Sequence, residues 1–240
     1  MLLRDGVRGV EVFLQRRVAA MTFAPGMTVF PGGGVDERDA DIEVGWAGPD
    51  ADQWADWFGC EQGLARALVC AAVRETFEES GVLLAGSGPD NVVADAVPYH
   101  DVREALISRD LSLAAFLAAA GLMLRADLLR PWAAWVTPEA EPRRYDARFF
   151  LALLPEGQHA DGATTEADTS GWVRPADALA NAREGRSTML PPTFVTVSEL
   201  AEFSTAADAF AADRPVPRYL PRVVADDAGA RVVFETESDR

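Results

Sequence analysis

A chain of 240 residues with 38 acidic against 22 basic side chains carries a formal net charge of -16, which argues against binding nucleic acid through a basic face, because phosphate contacts need clustered Lys and Arg. A hydrophobic fraction of 49% with 25% charged residues fits a globular protein able to bury a sizeable core. Two cysteines, Cys60 and Cys70, and two histidines support neither a disulfide framework nor a Cys/His zinc site, so a reducing cytoplasm is the expected compartment.

The opening residues "MLLRDGVRG" lack a long apolar signal core, and no run approaches the roughly 20 apolar residues that cross a bilayer. The segment "GVEVFLQRR" (9–17) reads as a strand, and "GMTVFPGGGVD" (26–36) as a second, short one halted by Pro31 and three glycines. Residues 37–62, with Trp46, Trp54 and Trp57 but no sustained period, read as an insertion with one short helix. From Gly63 to Ser80 the pattern is helical, with Gly81 as its left-handed cap. "VLL" (82–84) restarts extended structure.

Residues 101–122 suggest two short helices, within an extra helical segment of about 100–126. "RPWAAWVTPE" (130–139) and "DARFFLALLP" (146–155) suggest neighbouring strands. An acidic, glycine-rich loop (156–171) leads into "WVRPADALANA", a strand turning into a helix with Pro175 early in it. A further helix covers 191–203, and 213–240 read as a C-terminal tail. With no internal repeat, strands mixed with helices argue for a single α+β or α/β domain over 1–212.

The chemistry concentrates in "AAVRETFEESGVLL" (71–84). On a helix Glu75, Glu78 and Glu79 fall on one face about 100° wide, while Cys70, Val73 and Phe77 point to the other. Three carboxylates held together repel one another, so a cation belongs among them. An oxygen-only donor set favours Mg2+ or Mn2+, ions that also bind substrate phosphates. Arg74 could fork onto a carboxylate and fix its rotamer. An isolated ExxEE is most often a solvated helix face; here an R-E pair precedes it, a terminating glycine follows, and "FPGGG" lies upstream.

This set resembles the Nudix hydrolase signature. "RETFEESGV" (74–82) matches its second half at every defined place, apart from Thr76 at an aliphatic position. The first half is interrupted: a contiguous pattern would put its glycine at Cys60 and its first glutamate at Arg66, whereas Gly33 or Gly34 supplies a glycine with about 26 residues inserted. The chain is thus similar to the branch with an interrupted Nudix box that includes peroxisomal coenzyme A diphosphatases. "GMTVFPGGGVD", "WAAWVTPEAEPRRYDARFFLALLP", "WVRPADAL" and "LPPTF" follow that branch in order, over roughly residues 2–203.

The resemblance implies an α/β/α sandwich with a mixed sheet, with strands at 2–14, 27–30, 82–84, 130–138 and 146–154. It implies water attack on a diphosphate bond in a small nucleoside diphosphate derivative. Glu75, Glu78 and Glu79 would be ligands to Mg2+ or Mn2+, with Arg74 orienting Glu75. The general base would be Glu79, Glu75 or Glu166. Gly32, Gly33 and Gly34 either approach phosphates or merely turn the chain. Arg16, Arg17, Arg143, Arg144 and Arg148 are the local cations such a substrate needs, and Arg17 and Arg144 are taken as substrate-binding.

Coenzyme A or its acyl ester leads as substrate, although Val18 and Thr22 replace a serine or alanine and an arginine of that branch. A nucleotide sugar, ADP-ribose or a dinucleotide is the alternative. A non-catalytic ligand-binding module is the alternative of another class, against which the three retained acids speak. The apolar run "LAAFLAAAGL" serves as core packing in preference to a homodimer surface.

Overall fold

The computed structural model describes residues 1–21, 23–40, 43–141, 143–226 and 229–236. Strands β1 (Leu2–Gly6) and β2 (Gly9–Arg17) form an antiparallel hairpin with Leu3 opposite Val12, so the stretch 2–14 expected as one strand is two. β3 (Thr28–Val29) pairs with Gln15 and Arg16. The insertion then contributes a 3-10 turn (Glu37–Ala40), β4 (Trp46–Ala47) and α1 (Ala51–Phe58). Asp50 caps α1 by accepting from the Gln53 N–H at 2.9 Å, and Gly59, at φ 59°, ends it.

The long helix α2 (Gln62–Ser80) follows, then β5 (Ala85–Gly86), α3 (His100–Ile107), α4 (Leu113–Ala120), β6 (Met123–Arg125), β7 (Leu129–Val136), β8 (Asp146–Leu153) and β9 (Ala167–Val173). α5 (Pro175–Arg183), α6 (Pro191–Leu200), α7 (Ala206–Ala211), β10 (Arg218–Asp226) and β11 (Gly229–Thr236) complete the order. The main sheet runs β11-β10-β7-β8-β1-β2-β3, with β9 on β2. It is mixed, since β1 lies parallel to β8 and β10 parallel to β7 while the other pairs are antiparallel.

Alternation along the strands builds two cores, because successive side chains leave opposite faces of a sheet. Leu2, Phe13, Phe150 and Ala152 meet α1, α2, α3 and α4 on one face. Leu3, Val12, Leu14 and Leu151 meet α5, α6 and α7 on the other. The result is the expected α/β/α sandwich. Trp54 of α1 is fully buried, with its ring 5.5 Å from that of Phe150, so the insertion is seated in the core. Leu113, Ala114, Phe116 and Leu117 of α4 are buried in the same cluster, which makes the apolar run core packing.

Two expectations need correction. Val82, Leu83 and Leu84 form no strand of the main sheet. They are wholly buried coil, and the Gln158 side chain stands in for a strand neighbour, accepting from the Leu83 N–H at 2.8 Å and donating to the Leu83 carbonyl at 2.9 Å. The nearby strand is β5, which joins β6 and β4 in a separate three-stranded sheet.

The segment 213–240, expected as a tail, carries the β10–β11 hairpin. It is attached through Arg218 and Tyr219 beside Ala134 and Trp135. The Tyr219 ring stacks on Trp135 with centroids 4.1 Å apart, and its hydroxyl donates to Glu199 Oε1 at 3.2 Å. Cys60 and Cys70 are not joined in a disulfide. Among the described residues no helix is long and apolar enough to cross a membrane.

Candidate active site

Helix α2 sets the site because its two faces are so unlike. Val69, Cys70, Val73 and Phe77 are buried against the sheet, which turns Arg74, Glu75, Glu78 and Glu79 away from it. Gly81, at φ 73°, ends the helix by donating its N–H to the Phe77 carbonyl at 2.9 Å. The acids are sheltered: Glu79 is only 6% exposed, and the Glu75 and Glu78 side chains 13% and 12%.

Shelter disfavours charge. Burial pushes the Glu75 carboxyl up to about 7, with Arg74 opposing and Glu78 adding repulsion. Burial likewise carries Glu79 up to about 8, opposed by the Gly32 N–H and reinforced by Glu75 and Glu166. Glu78 is also raised, chiefly by burial.

Arg74 forks, as its place beside Glu75 suggested, but onto a residue of the insertion. Its Nε and one terminal nitrogen donate to the two oxygens of Asp39, each at 2.9 Å. That same nitrogen also donates to the Gly34 carbonyl at 2.9 Å. Only the other terminal nitrogen reaches the helix acids, at 2.7 Å from Glu75 Oε1 and 3.3 Å from each Glu78 oxygen. Asp39 is 3% exposed, and paired carboxylates hold the guanidinium firmly in its cationic form.

Two of the three glycines lie against these same acids. The Gly32 N–H donates to Glu79 Oε2 at 2.9 Å. A side chain on Gly33 would strike the Glu75 carboxylate, whereas one on Gly34 would meet open space. The loop therefore does more than turn the chain: it packs its backbone onto the helix, and any side chain at Gly33 would have to push the Glu75 carboxylate aside.

Glu79 faces three further residues. Its backbone carbonyl accepts from the buried Gln15 amide at 3.0 Å. Its carboxylate lies within the fields of Arg17 and Glu166, which pair with each other at 3.2 Å. The Arg17 Nε is buried without a hydrogen-bond partner.

An open cleft of about 1960 Å³ takes in Arg17, Gly32, Gly33, Gly34, Arg74, Glu75, Glu78, Glu79, Arg144 and Glu166, so every candidate residue borders one space. Arg143 and Arg148 line it too, whereas Arg16, an exposed residue of β2 between β3 and β9, pairs with Asp168. Arg148 is tied to Asp146, and Arg144 donates to the Thr137 carbonyl at 3.1 Å. Thr22 lies outside the described residues.

The model of the NUDT19 Nudix domain matches residues 61–200 of this chain. The chain belongs to the NUDT19 Nudix family. It is 29% identical over 192 residues to a Caenorhabditis elegans protein named as a nudix hydrolase, covering 80% of this chain and 56% of that one. It is 26% identical over 258 residues to the acyl-coenzyme A diphosphatase NUDT19 of Gallus gallus, covering 88% of this chain and 68% of that relative. The chain thus spans between about half and two thirds of these curated relatives. A NUDIX hydrolase crystal structure from Alicyclobacillus acidocaldarius superposes with a TM-score of 0.73 at 30% identity, covering 90% of this chain and 95% of the other.

Nudix proteins generally use divalent metals, and the oxygen donors of this Nudix helix suit one in kind: three sheltered carboxylates lie along it, two of them on a single Arg74 nitrogen and the third on the Gly32 N–H. They do not converge as placed, for among the described residues no three acidic, histidine or cysteine side chains have metal-holding geometry. The sequence reading missed Asp39, which sits in a stretch without periodicity, and Gln15, a polar residue within an apolar strand.

It also missed Arg103. This residue donates to the Glu78 carbonyl at 2.9 Å, to both oxygens of Asp161 at 2.9 and 2.8 Å, and to the Ala163 carbonyl at 3.2 Å. The one sequence signal for Arg103 is a cation inside an otherwise apolar helical face.

Proposed function

We propose that this chain is a metal-dependent hydrolase of the diphosphate bond in a nucleoside diphosphate derivative. Coenzyme A or its acyl ester is the leading substrate, and phosphopantetheine, or its acyl form, and 3′,5′-ADP are the products. The observation that carries this reading is the set of three sheltered glutamates on α2, bordering the cleft that Arg17 also lines, in a chain of the Nudix family. The acyl-coenzyme A diphosphatase names of the Gallus gallus and Homo sapiens relatives support the choice of substrate.

In this mechanism Glu75, Glu78 and Glu79 would hold Mg2+ or Mn2+, and the ion when bound would supply positive charge for the phosphate oxygens. Arg17, with an unsatisfied Nε, and Arg144 bind substrate phosphate. Water oxygen attacks phosphorus and the bridging P–O bond breaks, so that each product carries a phosphate. Glu166, close enough to Glu79 to repel its charge, takes the proton of the attacking water.

The second reading, a nucleotide sugar, ADP-ribose or a dinucleotide as substrate, rests on Val18 and Thr22 at positions where the coenzyme A branch differs. One experiment separates these readings. The chain is incubated with Mg2+ or Mn2+ and coenzyme A, acetyl-coenzyme A, NADH, ADP-ribose, UDP-glucose or a dinucleoside polyphosphate, and products are identified by mass. Phosphopantetheine and 3′,5′-ADP from coenzyme A are the expected result. Metal-dependent binding with no phosphate-bond cleavage in any mixture would make the chain a ligand-binding module.

A further inference from the structure

The segment "LPPTF" (190–194) opens α6 and lies outside the hydrolytic machinery. Its place is fixed from β3: the Thr28 N–H donates to the Thr188 carbonyl at 2.7 Å, and Thr28 bridges Met189. From Thr28 the chain runs on to Gly32, which bonds Glu79. Leu190, Pro191, Pro192 and Thr193 line the same cleft as the glutamates. Phe30 and Phe149 line it with them, their rings meeting edge to face at 6.1 Å.

The first turn of a helix carries N–H groups with no carbonyl to meet. In α6 the first two positions are Pro191 and Pro192, which have no N–H, and the Phe194 N–H is spent on the Leu190 carbonyl at 3.0 Å. Thr193 alone among the first three helical positions keeps a donor. Among the described residues neither that N–H nor the Thr193 hydroxyl finds a hydrogen-bond partner, although Thr193 is only 5% exposed. A buried polar group normally has one.

The pair of unused donors selects its ligand. A phosphate at a helix start draws on several N–H groups, and the two prolines have removed two of the three available here. An adenine edge also needs an acceptor for its amino group, and the Leu190 carbonyl is engaged with Phe194. A carbonyl oxygen has two lone pairs, which one N–H and one hydroxyl satisfy.

We propose that the start of α6 is the docking point for an amide carbonyl. The Thr193 N–H and hydroxyl are its donors, and Phe30 and Phe149 are the apolar wall for the chain that bears it. This inference rests on coenzyme A being the substrate, since its pantetheine arm is an apolar chain interrupted by amides. Thr193 is then a specificity-determining residue, on the part of the cleft away from the bond that breaks.

The test uses the full chain, labelled with nitrogen-15 and free of metal, titrated separately with pantetheine, 3′,5′-ADP and inorganic phosphate. Pantetheine should move the Thr193 amide resonance saturably. Thr193→Val keeps the shape and the N–H but removes the hydroxyl, and it should weaken pantetheine binding about five- to tenfold. It should raise the KM for coenzyme A by a similar factor. Thr196→Val, which removes a fully buried hydroxyl without a partner one turn deeper, should do neither.

A Thr193 amide unmoved by pantetheine up to its solubility would overturn the proposal, and so would equal weakening by both valine variants. A response to phosphate or 3′,5′-ADP in place of pantetheine would make the start of α6 an anion site and overturn it too. Coenzyme A left uncleaved while pantetheine still moves the Thr193 amide is a failure of the substrate reading instead, and the amide site stands.

Discussion

A methyl group on Gly33 would lie 2.6 Å from Oε2 and 2.7 Å from Oε1 of Glu75, closer than non-bonded atoms approach. The glycine loop and the glutamate helix are thus fitted to each other without a side chain between them. Gly33→Ala should displace the Glu75 carboxylate and lower kcat by about ten- to a hundredfold, with the fold retained. Gly34→Ala, whose new methyl meets open space, should stay near wild type. Steady-state kinetics on whichever substrate the panel yields, with circular dichroism as the check on folding, distinguishes the two.

Glu78→Gln and Glu79→Gln keep the shape of the side chain and remove its charge. Each should reduce turnover by about a hundredfold or more while the far-ultraviolet spectrum stays that of the wild type. Full activity in either variant would remove the helix acids from the mechanism.

The raised carboxyls make stability depend on pH in a definite direction. Burial pushes the Glu79 carboxyl up to about 8 in the folded chain, from the 4.5 of an ordinary glutamate, so the folded state holds a proton that the unfolded state releases between those values. Stability of the metal-free chain is therefore greatest at the acid end of that window and falls as pH rises from about 4.5 through 8, by about 1.4 kcal/mol per unit of separation for a single isolated group. Glu75, raised to about 7, adds to the same trend. Mg2+ binds the ionised form, so its stabilisation should grow with pH. Thermal unfolding at pH 6 and pH 8.5, with chelator or with Mg2+, checks both slopes, and Glu79→Gln should flatten the metal-free one.

Arg103 is buried and joins the end of α2 to the loop that carries Glu166. Arg103→Ala leaves the Glu78 carbonyl without this donor and empties a buried site, so it should destabilise the fold by about 2–3 kcal/mol. The shift in urea midpoint measures that loss. The same variant should also lower kcat, because Glu166 loses its tie to the glutamates.

Local pattern carried the reading of α2. A helix from 63 to 80 ending at Gly81 follows from its period and its glycine, and the observed helix begins one residue earlier. The grouping of Glu75, Glu78 and Glu79 follows from the same period. Asp39 was passed over although it stands six residues after Gly33, the spacing of the signature's glycine and first acid, because its contact with Arg74 spans 35 positions across the insertion.

"VLL" misled for a related reason. Its apolar run signals burial, and burial usually means a strand, but the partner here is the side chain of Gln158. The hairpin at the C-terminal end was passed over because its alternation is broken by Pro221 and by the adjacent acids Asp226 and Asp227.

The two bonds of Gln158 to Leu83, with the Asp161 N–H donating to the Ser80 carbonyl at 2.9 Å, fasten the start of the acidic loop to the end of α2. Beyond Asp161 only four residues precede Glu166, whose own carbonyl is held by the Val18 N–H at 2.9 Å. Glu166 is thus tethered like a short bridge between two piers, and any closing movement over a bound substrate is confined to residues 162–165. Amide exchange should be slow at Leu83 and Asp161 and faster at Gly162 and Thr165 than at Ala163 and Thr164, whose N–H groups donate to Asp161 Oδ1 at 3.0 Å and to the Gly162 carbonyl at 2.8 Å.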